Sequence, residues 1–246
     1  MENIAYISLA VLGVAFLYSS VGHGGASGYL AVLAVCGATA SVMKPTALAL
    51  NIFVSLIAFI QFARQGHFRW ELTWPFLVAS VPAAFLAGKY IGLSDDLYKK
   101  LLALVLLFPV LRLLGLLGRM DTGVRGKVSL AGALAAGLLI GLLSGMMGIG
   151  GGIILSPLIL LLGWGGLKET AATSALFIFA NSVSGFAGLL TEKGFSPDSN
   201  MMVLAAAGVL GGIAGSYYGS GRFNIPVLKR ILALVLMVAC FKLIIT

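Results

Sequence analysis

The chain has 246 residues, 60% of them hydrophobic and 10% charged, with a formal net charge of +8 and a mean hydropathy of +1.07. A water-facing domain of this size carries roughly 25% charged residues, so this composition excludes a soluble globule and makes lipid the solvent. The basic residues punctuate apolar runs, a pattern that sets topology against a membrane leaflet and argues against a nucleic-acid partner.

Ten apolar segments follow in chain order. The first five are Ile4–Val21, Ala26–Val42, Pro45–Ala63, Thr73–Tyr90 and Leu97–Leu117. The second five are Val128–Met147, Ile153–Trp164, Thr170–Leu190, Met201–Gly219 and Val227–Ile245. Each is expected to be helical, because lipid leaves no other open structure with its backbone satisfied. Met1-Glu2-Asn3-Ile4 lacks a basic n-region, so the first run is read as a retained segment. Pro82, Pro109 and Pro157 fall within apolar runs and are expected to bend their helices.

The chain repeats itself. Gly22-His23-Gly24-Gly25-Ala26 returns as Gly148-Ile149-Gly150-Gly151-Gly152, and Tyr98-Lys99-Lys100-Leu101-Leu102-Ala103 returns as Leu228-Lys229-Arg230-Ile231-Leu232-Ala233. The organisation read from this is a first membrane repeat over 1–118, a hydrophilic linker over 119–127 and a second repeat over 128–246. The fold class is an all-α polytopic membrane protein with two homologous halves. Each half is broken by glycines, as a re-entrant hairpin or as two short packed helices. Either count of crossings per half is odd, so the halves are expected to be inverted repeats about an axis in the membrane plane. Ten of the sixteen basic residues fall in loops on the side opposite the N-terminus. That side is read as cytoplasmic, with both termini outside.

Glycine within a helix costs about 1 kcal/mol relative to alanine. Its clustering lets the backbone bend and take up positive φ. A helix that restarts at such a break presents unpaired N–H groups and a positive dipole end, which suit an anion. Gly22, His23, Gly24, Gly25 and Ser27 in the first copy, and Gly148, Gly150, Gly151 and Gly152 in the second, are the candidate substrate-binding residues on this argument. No buried Lys or Arg is invoked. Thr46, Asn51, Thr173, Ser174 and Asn181 lie in neighbouring apolar segments, where they can line the path or bond helix to helix. His23 has Ile149 as its counterpart and is a candidate for proton coupling, for neutral hydrogen bonding to substrate, or for plain packing.

All eight acidic residues fall at segment ends or in loops, which disfavours a cation path. No Cys/His/Asp/Glu grouping has metal-ligand spacing, so no metal is expected. No phosphate-binding glycine motif stands in a soluble βαβ context, so no cofactor is expected either. Cys36 and Cys240 read as small buried apolar residues.

Ser144-Gly145-Met146-Met147-Gly148-Ile149-Gly150-Gly151-Gly152 with Pro157, then Ala172-Thr173-Ser174 and Asn181-Ser182, resembles the sulfite exporter TauE/SafE family of membrane permeases. In the first half, His23 and Ala26 replace expected apolar and glycine positions. The resemblance implies a bacterial inner-membrane permease for small sulfur-containing or organic anions such as sulfite and sulfonates. The reading is therefore a secondary transporter, an exporter, with the anion held at mid-membrane between the two breaks. It is not an enzyme, and monomer and homodimer both remain open. Two competing readings are an anion channel and an intramembrane hydrolase using Ser144 and His23.

Overall fold

A computed structural model describes residues 4–20, 24–113, 126, 128–193, 199–219, 237, 240 and 241. Every element among them is a helix. In chain order they are α1 Ile4–Ser19, α2 Ala26–Val35, α3 Ala40–Arg64, α4 Trp70–Tyr90, α5 Asp95–Leu113, α6 Leu130–Met147, α7 Gly152–Leu161, α8 Leu167–Lys193 and α9 Ser199–Gly219. Gly22, His23, the linker core and most of the tenth segment, Val227–Ile245, lie outside the described residues.

Five helices among the described residues are long and apolar enough to cross a membrane: α3, α4, α6, α8 and α9. Side chains such as Leu104, Leu139, Met202 and Leu210 stand exposed on them and on α5, as a lipid solvent permits. The expected second segment, Ala26–Val42, divides in two. Gly37 takes the left-handed conformation at φ 74 and ends α2, and Thr39 starts α3 at Ala40. Cys36, expected to be buried, is exposed at this turn, whereas Cys240 is buried. Lys44, expected in a loop, sits inside α3 and is only 8% exposed.

α2 and α7 have ten residues each. That makes them about 15 Å long, half the ~30 Å hydrocarbon core. Both fold back on the helix before them. Tyr18 and Ser27 share a hydroxyl hydrogen bond of 2.8 Å, and Gly28 lies against Val14 and Tyr18. In the second half, Gly151 lies against Ile140 and Phe177.

α3 and α8 cross at the centre in antiparallel sense. Phe62, near the end of α3, packs with Ala171 and Ala172 near the start of α8, and Leu48 meets Gly185. Around this pair α4 packs on α6 and α8, and α9 packs on α1 and α3. The partners trade places when each helix is exchanged for its counterpart in the other half.

The α4–α6 seam is set by small residues. Gly137, Gly141 and Gly145 recur every fourth position, hence on one face of α6. They bring that face onto the backbones of Phe76, Ser80 and Ala84 in turn. Without a hydrophobic drive between helices in lipid, such close approach is what holds them. A Cβ on Gly145 would strike the Ala84 carbonyl. Gly145→Leu is therefore expected to cost about 3 kcal/mol and to yield little monodisperse protein in detergent size-exclusion. A variant that is monodisperse and melts like wild type would show that this seam does not support the bundle.

Candidate functional site

Each glycine-rich stretch is a real interruption in the chain. Gly25 precedes α2 at φ 93, and Gly151 precedes α7 at φ 78, each in the left-handed region and without a side-chain cap. Gly148 and Gly150 add φ 78 and φ 68 to the second break. Residues with a Cβ avoid this region at a cost of about 1–2 kcal/mol. The first N–H groups of α2 and α7 lack intrahelical acceptors by construction.

The two breaks reach the same spot. A Cβ on Gly24 would stand 2.9 Å from Ile178 Cγ2, 3.0 Å from Asn51 Oδ1 and 3.3 Å from Ser55 Cβ. A Cβ on Gly150 would stand 2.8 Å from Asn51 Nδ2, 2.8 Å from Ile178 Cγ2 and 3.2 Å from Ser182 Oγ. Asn51 and Ile178 are 127 positions apart, as are Ser55 and Ser182, and Gly24 and Gly150 are 126 apart. Exchanging every residue for its counterpart turns one set of contacts into the other. The meeting point lies near the middle of both α3 and α8.

This spot carries buried polar atoms that the protein leaves without partners. Asn51 and Ser182 are fully buried, and Asn51 Oδ1, Asn51 Nδ2 and Ser182 Oγ make no hydrogen bond. The Tyr29 hydroxyl is also unpartnered and lies 2.7 Å from the Cβ position of Gly25. Buried polar groups are satisfied in the great majority of cases, so such a cluster calls for a ligand or a function. No grouping of metal-ligating side chains occurs among the described residues.

The other sequence candidates divide into two groups. Gly24, Asn51, Gly150 and Gly152 converge around Ile178, Gly152 being pressed against the Ile178 side chain itself; Gly151 lies against Ile140 and Phe177, and Gly25 against Tyr29. Ser27 bonds Tyr18, Thr173 bonds Thr73 at 3.0 Å, and Ser174 bonds Ser156 at 2.7 Å. Asn181 donates to Ser80 Oγ at 3.0 Å and to the Phe177 carbonyl at 2.8 Å. These four use their polar groups between or within helices, although Asn181 Oδ1 remains unpartnered. Thr46 is buried in α3, five residues before Asn51. Gly22 and His23 lie outside the described residues. Ser182, readable in sequence as one of the polar residues of the second half that could hydrogen-bond an anion, reaches the cluster; sequence reasoning missed Tyr29, beside Gly25. The 127-residue spacing from Ser55 marks Ser182, and the one-turn spacing from Gly25 marks Tyr29.

The surroundings differ on the two ends of the bundle. At one end Arg69 pairs with Glu169 at 3.2 Å, and Glu169 also accepts the Gly166 N–H at 3.0 Å. At the other end, between the start of α3 and the end of α4, lies a cavity of about 390 Å³. Tyr98, on its wall, donates a 2.8 Å hydrogen bond to the Met147 carbonyl, just before the second break. Tyr98→Phe removes that bond and leaves a buried carbonyl short of a donor, so a loss of about 1 kcal/mol is expected. A lowered melting temperature in detergent checks it; an unchanged one would mean that the break holds its shape without Tyr98.

The profile of the family described as Sulfite exporter TauE/SafE matches residues 7–243. The chain is 34% identical over 243 residues to "Probable membrane transporter protein y4hK" of Sinorhizobium fredii (strain NBRC 101917 / NGR234), with 96% of each chain covered. No solved structure matches.

Proposed function

From the premise that this chain belongs to the sulfite exporter TauE/SafE family of membrane transporters, we propose that it moves small sulfur-containing or organic oxyanions, such as sulfite or sulfonates, out across the bacterial inner membrane. The anion is held at mid-membrane between the Gly24–Gly25 and Gly148–Gly152 breaks. One observation carries this reading. Asn51 is fully buried, touches both breaks, and has neither its amide N–H₂ nor its carbonyl oxygen bonded within the protein. An amide N–H₂, a serine hydroxyl and the N–H groups of two helix starts together make a donor set for the oxygens of an anion.

The antiparallel crossing of α3 and α8 supports treating the halves as inverted repeats. The excess of basic residues in the loops opposite the N-terminus supports termini facing out. His23, next to the first break in sequence, is the candidate to carry a coupling proton. A proton gradient or the membrane potential drives transport, since the chain has no nucleotide-binding motif.

The family does not consist of enzymes, so the Ser144/His23 hydrolase reading is set aside. The test is flux of labelled sulfite and of a labelled sulfonate into proteoliposomes under an imposed potential or pH gradient. Saturable flux is expected for at least one of them. Absence of flux for both under either gradient would refute the assignment. Currents far above carrier turnover in planar bilayers would favour a channel.

A further inference from the structure

We propose that the cavity at the Asp95 end of the bundle is a separate entry subsite for small oxyanions, with Lys44 as its anion-binding side chain. It rests on the anion reading of the central site and adds a binding position that the reading does not contain. Lys44 is the only ionisable Lys, Arg, Asp or Glu side chain that is buried among the described residues. An ionised group within a membrane-spanning helix is costly to retain and marks a pathway more often than a packing position.

Lys44 lines the cavity together with Lys89, Asp95 and Tyr98. Asp95, the one carboxylate among the described residues of that wall, accepts the Ala40 N–H at 2.6 Å and pairs with Lys99 Nζ at 2.9 Å. Lys89 Nζ lies 4.9 Å from the centre of the Tyr90 ring. Among the described residues of the wall, lysines outnumber carboxylates two to one, so their summed charge is positive. Low-dielectric walls focus that field and raise the local anion concentration.

The subsite leads inward. A Cβ on Gly148 would stand 3.0 Å from the Lys44 carbonyl oxygen and 3.3 Å from its Cγ, so Lys44 packs on the first left-handed glycine of the second break. Asn51 follows Lys44 by seven residues on the same helix, about 10 Å further along its axis. An anion that pairs with Lys44 is thus one short step from the unpartnered amide.

The experiment measures the melting temperature of the full-length protein in detergent against sodium sulfite, sodium sulfate and sodium acetate at constant ionic strength. At least one salt is expected to stabilise wild type saturably. Lys44→Gln is expected to weaken the apparent affinity about tenfold, the worth of one charge-assisted hydrogen bond. Lys44→Arg is expected to retain it. Lys89→Gln, on a half-buried side chain, is expected to weaken it less, and it stands in for Lys44→Gln should that variant not fold. Affinity unchanged in Lys44→Gln, or in Lys89→Gln where that is the folded variant, overturns the proposal. So does a wild-type protein that none of the three salts stabilises. The two sites separate cleanly. Weakened binding in Lys44→Gln with normal flux in Asn51→Ala would leave the entry subsite standing and remove the central one. Lost flux in Asn51→Ala with unaltered binding and KM in Lys44→Gln would do the reverse.

Discussion

Asn51→Ala is expected to stop transport without destabilising the fold. Asn51 makes no side-chain hydrogen bond within the protein, so its removal strands no partner. A buried amide left unpaired is itself a cost, and replacing it with a methyl group is neutral or stabilising. The anion, by contrast, loses a charge-assisted contact worth about 1.5–3 kcal/mol, which is roughly a ten- to hundredfold fall in flux at sub-saturating substrate. The pairing of outcomes is the test. Flux into proteoliposomes should collapse while the detergent melting temperature holds or rises. Flux at the wild-type level would remove Asn51 from the site. A fall in melting temperature with intact flux would make it a packing residue. Ser182→Ala should show the same signature with a smaller fall, since one unpartnered hydroxyl replaces two amide atoms.

Gly150→Ala is expected to lose both stability and transport, for two separable reasons. At φ 68 the new Cβ meets the left-handed penalty of about 1–2 kcal/mol. It would also stand 2.8 Å from both Asn51 Nδ2 and Ile178 Cγ2, which adds overpacking of about 1–3 kcal/mol. Two other glycines isolate these terms. Gly37→Ala carries the left-handed penalty alone, at φ 74 with open space around the added methyl. Gly13→Ala lies within α1 with nothing near the methyl and should gain up to about 1 kcal/mol from helix propensity. Melting temperatures should therefore fall in the order Gly13→Ala, wild type, Gly37→Ala, Gly150→Ala. Transport should fall selectively in Gly150→Ala. If Gly37→Ala and Gly150→Ala lose equal amounts of flux, the break acts only through stability, and the meeting of the two breaks has no special part in transport.

Lys44 shows most clearly where reading the chain residue by residue falls short. Its neighbours Ser41, Val42 and Pro45 read as a loop edge, because a proline so near the start of an apolar run resembles a boundary. α3 in fact begins at Ala40, five residues before Pro45. Pro45 is the sixth residue of α3, past the first turn, so the helix runs on through it without the hydrogen bond that an N–H there would give the Ser41 carbonyl. The charge expected on the surface is thereby drawn into the bundle. There Lys44 packs against Gly148 of the second break. Ser27, Thr173 and Ser174 were legible as polar residues at membrane depth. Whether such residues bond a neighbouring helix or face the site depends on helix rotation, which apolar composition all round a membrane helix does not encode.

The amino-acid order by itself determined that this chain lives in lipid, that its elements are helices, that it is written twice, and that each copy is interrupted at the same glycines. Those features follow from local rules: apolar run length, backbone satisfaction in hydrocarbon and the freedom of glycine to take positive φ. Only the tertiary structure decided that Gly24 and Gly150 meet on one asparagine, that α2 and α7 turn back as half-length helices, and that Ser182 stands beside Asn51 with an unpartnered hydroxyl. Those facts depend on how α3 and α8 cross and how far each helix is rotated. Both are set by side-chain interlocking between segments more than a hundred residues apart, which no local pattern specifies.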